Sequence, residues 1–163
     1  MHSRIIELSD KPLKREEFAK EYDIPEWFCG YIADYVDLIV SDSERDESIN
    51  WIASFLGASF KEGRMVITKE ATSFFLSYRL EEFAKNVKEL QNIDTIEEFL
   101  EFSTGYKMHL LNGAYDDKYG FWVLYMGDFL TIDQFMRYVY SKVKEDKADE
   151  LVFYTGSVWD FHM

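Results

Sequence analysis

Cysteine occurs once, at Cys29, so no internal disulfide can form and no oxidising compartment has left its mark. Only two prolines and eight glycines interrupt the 163 residues, and no Pro/Gly/Ser-rich linker divides them. A single domain over 1–163 is expected, long enough to bury roughly 70% of the surface its unfolded chain would expose. No uncharged stretch approaches the roughly 20 residues needed to span a bilayer. The N-terminal Met1-His2-Ser3-Arg4-Ile5-Ile6-Glu7 holds no apolar run of signal-peptide length, so a cytoplasmic location is expected. Basic residues are also scarce, 18 against 31 acids, for a net charge of -13. Nucleic acid and anionic lipid are bound by neutralising phosphates with Lys and Arg, so direct binding to either is disfavoured.

Aromatic side chains are abundant, at 18% of the chain within a hydrophobic fraction of 47%, which is enough to drive folding and excludes general disorder. The charge is uneven. Residues 1–56 carry 13 acids and 6 bases, 57–92 carry 5 and 6, and 93–163 again carry 13 and 6. Two acidic regions therefore flank a neutral middle.

Hydropathy patterning predicts alternating helices and hairpins. Ser3–Leu8 is expected as a strand ended by the Asp10/Pro12 turn, and 13–21 as a short helix. From Pro25, the residues Trp27, Phe28, Tyr31, Ile32, Tyr35, Val36 and Ile39 recur as pairs four apart, predicting an amphipathic helix interrupted only by Gly30. Ser41 or Ser43 would cap a helix carrying Ile49, Ile52, Ala53 and Leu56 that stops at Gly57. A hairpin is expected around Glu62-Gly63, then a long helix over 70–90 with Phe74, Tyr78, Phe83, Val87 and Leu90 available for burial. Thr95 with Glu98 forms a capping box, and the same pattern recurs at Thr131-Ile132-Asp133-Gln134-Phe135 as a second capped start. Residues 106–114 and 119–126 are β-rich and predict a hairpin turning at Asp116-Asp117, and 151–155 predicts a last strand, with an extension through Trp159 to Phe161 left open. This alternation, without a regular βαβ rhythm, predicts an α+β fold with helices packed on an antiparallel sheet built from hairpins.

Chemistry-bearing motifs are few. Asp42-Ser43-Glu44-Arg45-Asp46-Glu47 imitates the opening of a calcium loop, but Glu47 stands where the turn needs Gly and Ala53 where the closing Glu would fall. The acids instead suit a helix N-terminus. His2, His109 and His162 share no metal-ligand spacing, so no metal is expected, and His109 is placed in a strand. Cys29 lies among Trp27, Phe28, Tyr31 and Ile32 beside Glu26, surroundings that disfavour a thiolate, and reads as a buried structural cysteine. No nucleophile elbow, phosphate loop or dinucleotide fingerprint is present, so no cofactor is expected and no catalytic residue is assigned.

Two features remain for function. Asp34, Asp37, Asp42, Glu44, Asp46 and Glu47 make an acid-dense stretch suited to a basic protein partner. Tyr115, Tyr119, Tyr138, Tyr140, Trp159 and Phe161 exceed what one interior can hold, so some, chiefly Tyr115, Tyr119, Trp159 and Phe161, are expected at the surface as a contact for a partner or a homo-oligomer. The primary reading is a non-catalytic protein-interaction module. In charge and size the chain resembles small acidic antirestriction and anti-CRISPR proteins, which implies a nucleic-acid-mimicking inhibitor of a DNA- or RNA-binding protein as one alternative. A small enzyme or ligand binder, with a site assembled from His109, Cys29 or paired acids, is another. The segments 1–12, Ile32-Ala33-Asp34-Tyr35 and 115–121 are similar to those of a group of small bacterial proteins of unknown function, which implies a bacterial or mobile-element origin and no mechanism.

Overall fold

The computed structural model describes residues 2–163. Its centre is strand β7 (Glu150–His162), thirteen residues long. One edge of β7 pairs antiparallel with β1 (His2–Ser9). Its other edge is shared, the first half with β4 (Arg64–Thr68) and the second with β2 (Tyr35–Leu38). Strand β3 (Ser59–Lys61) extends the sheet beyond β4, and β5 (Trp122–Tyr125) with β6 (Asp128–Thr131) extend it beyond β1. The fold is α+β, with the expected hairpin β3–β4; the second hairpin, β5–β6, is not the one expected between 106–114 and 119–126 but forms further along the chain. One pair departs from the antiparallel expectation, since β1 and β5 run parallel across a crossover of more than a hundred residues. Such a pair needs a long connection, which the intervening helices supply.

Local chemistry explains the elements that match the expectation. Ser41 accepts the Glu44 amide and caps α2 (Asp42–Leu56), which ends at Gly57 in the left-handed region (φ 65°). Thr68 caps α3 (Lys69–Gln91), the Thr95–Glu98 box caps α4 (Ile96–Leu100), and Thr131 with Gln134 caps α6 (Ile132–Asp146). Both hairpins turn through two residues of positive φ, Glu62-Gly63 and Met126-Gly127, whose twist matches that of the flanking strands.

The sheet is covered on both faces, and this corrects the largest group of expectations. On one face α2, α3 and α6 bury Ile6, Val123, Tyr125, Phe153 and Val158. On the other, the segment before β2 lays Ile24 and Phe28 over Ile5, Trp122, Leu124, Trp159 and Phe161 and over Val36 of β2. Alternate residues of a strand point to opposite faces, so a doubly covered sheet buries both sets. Trp159 and Phe161 are therefore fully buried, against the expectation that they stand at the surface.

Four local assignments also change. Residues 13–21 form only a 3-10 turn at Arg15–Glu17. The helix expected from Pro25 is one turn, α1 (Phe28–Tyr31), interrupted at extended Cys29 and at Gly30 (φ 100°), after which the chain enters β2. Gly30 alone tolerates that angle without strain, and its amide bonds the Ala33 carbonyl at 2.8 Å. Cys29 is consequently exposed rather than buried. Residues 106–114 are not a strand but most of α5 (Phe102–Tyr115), which carries His109 and lies along α3.

Candidate interaction surface

Helix α3 packs on two sides. Toward the sheet it buries Thr72 and Phe75, and Arg79 reaches Asp133 of α6. Its other flank carries α5, which packs on α3 and touches no strand extensively. Helices α3, α4 and α5 thus form an arm whose outer part has no sheet beneath it.

The arm is anchored by a buried ion pair. Arg79 donates from Nε (2.7 Å) and Nη2 (3.1 Å) to the two oxygens of Asp133, which is 1% exposed. The Asp117 amide donates a third bond at 3.0 Å. Burial pushes the Asp133 carboxyl above its ordinary range, opposed by the Asp117 amide and by Arg79. Next to it, Asp116 accepts from the Thr131 hydroxyl and from Gln134 Nε2 (2.9 Å). Asp116 and Asp117 therefore tie the end of α5 to the start of α6; they are not the hairpin tip the sequence suggested.

Outward, the arm is unusually apolar. Helix α4 buries no residue, and α5 buries only Thr104 and Ala114. Phe102 is 90% exposed, Leu100 74%, Ile96 73% and Phe99 66%, with Tyr106 and Met108 about half exposed. Thr104, Leu111 and Ala114 mark the side of α5 that faces inward. Helical geometry then places Phe102, Gly105, Tyr106, His109 and Gly113 on the opposite side. That outer face carries no Lys, Arg, Asp or Glu, and Lys107 is the one such residue in α5. A solvated helix face is normally its most charged part. Two interior glycines weaken the helix further, by roughly 1 kcal/mol each against alanine. The same side leads to a cleft of about 460 Å³ lined by His109, Asn112, Tyr115 and Tyr119 together with the charged Asp116, Asp117 and Lys118. The rings of His109 and Tyr119 lie 6.0 Å apart in its wall.

The expected site residues are divided by the fold. Tyr115 and Tyr119 are exposed at the end of the arm, and Tyr140 is partly exposed on α6. Tyr138 is half-buried and shares a 3.0 Å hydroxyl contact with Tyr125. The six acids lie away from the arm, all exposed. Asp42, Glu44, Asp46 and Glu47 crowd the first turns of α2, whereas Asp34 precedes β2 and Asp37 lies within it, so the six share no helical spacing. Asp42 pairs with Arg15 (2.8 Å), Asp46 with Arg45 (2.9 Å), and Asp34 lies 3.5 Å from His162. Phe102, Tyr106 and Met108 were not singled out by sequence reasoning, and the signal that marks them is one charged residue in the fourteen of α5.

Among the described residues no three His, Cys, Asp or Glu gather to hold a metal ion. His109 shares its cleft with Asp116 and Asp117, but Asp116 serves the α6 cap and an oxygen of Asp117 accepts the Tyr119 amide at 3.0 Å. No helix among the described residues is long and apolar enough to cross a membrane. No protein-family model, curated protein or solved structure matches the chain.

Proposed function

We propose that this protein is a non-catalytic protein-interaction module whose docking element is the outer face of α5, with α4 at its rim. Its occupant is an apolar helix of another polypeptide. The observation that carries the reading is the concentration of six large apolar side chains, all exposed by about half or more, within the thirteen residues from Ile96 to Met108. Taken at about 200 Å² per large side chain, the six together expose on the order of 800 Å² along α4 and α5, with Phe102 and Tyr106 on the outer face of α5 itself. The rim carries Asp94, Glu97 and Glu101, so basic groups at the edge of a partner would add to the apolar contact.

The acid-dense stretch supports a mimicry reading less well. Three of its six carboxylates already face a cation or a histidine of the same chain.

The test compares proteins captured on immobilised wild-type chain with those captured on the F102E/Y106E chain, at low and high salt, after circular dichroism shows equal helix content. Capture that survives high salt on wild type and disappears on the variant supports the apolar face. Identical capture on both chains overturns it.

A further inference from the structure

We infer that a cleft between the start of α3 and the end of α6 binds a small phosphorylated compound through a pyrophosphate group, held by Lys69, Lys144 and Lys147. The cleft measures about 370 Å³, within the size range of small-molecule sites. None of its lining residues belongs to α4 or α5, so this inference and the interaction reading stand or fall separately.

Charge marks the place. In a molecule of 31 acids and 18 bases, three lysines line this one cleft against a single carboxylate, Asp149. Among the described residues no ion pair joins any of the three to an acid. Lys142, also on α6, shows the ordinary outcome by pairing with Asp146 at 3.4 Å. The Lys69 amide donates to the Asp149 carbonyl at 2.8 Å. That bond fixes the start of α3 against the connection from α6 to β7 and brings the lysines to one cleft.

Two of the lysines stand where the fold alone disfavours them. Lys69 is the first residue of α3, where the helix end is already positive and acids are preferred. Lys147 holds φ 52° in the left-handed region after α6, a position that suits glycine or asparagine. Lys144 suits the negative end of α6, but it lies three residues before Lys147, and like charges at that spacing repel. Departures from local rules that meet at one place mark function rather than folding. A bound anion offsets the repulsion and both misplaced cations together.

Chemistry selects the ligand. Lysine binds phosphate as a point charge, and arginine, whose fork grips planar carboxylates, does not line the cleft. One phosphate carries about two negative charges at neutral pH, short of three ammonium ions, and two joined phosphates come nearer to matching them. Ser73 and the partly exposed Tyr140 line the remainder, which leaves room for a polar group attached to the phosphates.

Isothermal titration calorimetry of the full chain at about 0.15 M salt, which screens unspecific attraction to exposed charges, reads the outcome. Inorganic pyrophosphate, ADP or both are expected to bind with a dissociation constant below about 1 mM, and sulfate at least roughly tenfold more weakly. Tighter ADP identifies a nucleotide as the source of the group, and tighter pyrophosphate the free anion. K69E and, separately, K147N are each expected to weaken the tighter probe at least roughly tenfold. Both should melt no lower than wild type, because an acid suits the start of α3 and asparagine the left-handed position. K107E on α5 lowers the net charge as much as K69E and is expected to leave the affinity within about twofold. Sulfate bound as tightly as both probes, or neither probe bound below about 1 mM, overturns the inference. So does an affinity indifferent to K69E and K147N, or one that K107E weakens as much as K69E.

Discussion

Replacing Arg79 with methionine isolates what holds the arm to the sheet. The substitution keeps an unbranched apolar stem, and so most of the packing beside the Phe75 ring, which the guanidinium carbon approaches to 5.4 Å. It removes both charged hydrogen bonds to Asp133, leaving a carboxylate that is 1% exposed with the Asp117 amide as its remaining donor. Breaking one side of a buried pair costs about 3–5 kcal/mol at neutral pH, a large share of the roughly 5–15 kcal/mol that stabilises a domain. The cost depends on pH with a definite sign. Burial already raises the folded-state pKa of Asp133 above its unfolded value, and removing Arg79 raises it further. Below the unfolded value the carboxyl is protonated in both states and the penalty is absent. As pH climbs through the folded value, the native state must lose its proton and stability falls. Urea titrations followed by circular dichroism at several pH values between about 4 and 7 should show the R79M deficit shrinking to about 1 kcal/mol at the acidic end. Adding D133N should recover most of the deficit at neutral pH, because the amide still accepts from Asp117 without carrying charge. A neutral-pH loss below about 1 kcal/mol, or a deficit that grows on acidification, would refute the reasoning.

Three further outcomes are expected. At Gly156 a Cβ would collide with the Glu7 carboxyl group, whose Oε2 accepts the Ser157 and Ala19 amides, so G156A is expected to displace it and orphan those amides. Its urea midpoint should report a loss on the order of 2–5 kcal/mol, and near-wild-type stability would contradict this role for Glu7. Arg45 donates to the Gly156 (2.7 Å) and Thr155 (3.0 Å) carbonyls where β7 passes from β4 to β2, so R45M should cost on the order of 3 kcal/mol by the same assay. Met126 holds φ 53° in a two-residue turn that asparagine tolerates better, so M126N should gain about 0.5–1 kcal/mol and raise the calorimetric Tm by about 2–4 °C; an unchanged or lower Tm would argue against turn strain.

Elements with local signals were legible from residue order alone. The Ser41 and Thr131 caps, the Thr95–Glu98 box, the Gly57 stop and the Glu62-Gly63 turn each depend on groups a few residues apart, and each forms as the spacing implies. The misreadings share a different cause. Trp27 to Ile39 has helical spacing, yet β2 forms there because the second half of β7 offers a free edge and Gly30 turns the chain toward it. Residues 106–114 are rich in β-formers, yet with α3 alongside and no strand edge to join, they satisfy their backbone internally as α5.

Residue order by itself determined the α+β class, the acidic balance, most helix starts and the scarcity of motif-borne chemistry, because all of these follow from composition and short-range spacing. Tertiary structure alone decided that the sheet has two covered faces, which buries Trp159 and Phe161, and that α5 lies on α3 beyond the sheet, which leaves Phe102 and Tyr106 in solvent. Exposure depends on which distant segments meet, and no local pattern encodes that. The net charge of -13 consequently matters less for the acids it counts than for the one helix face that carries none of them.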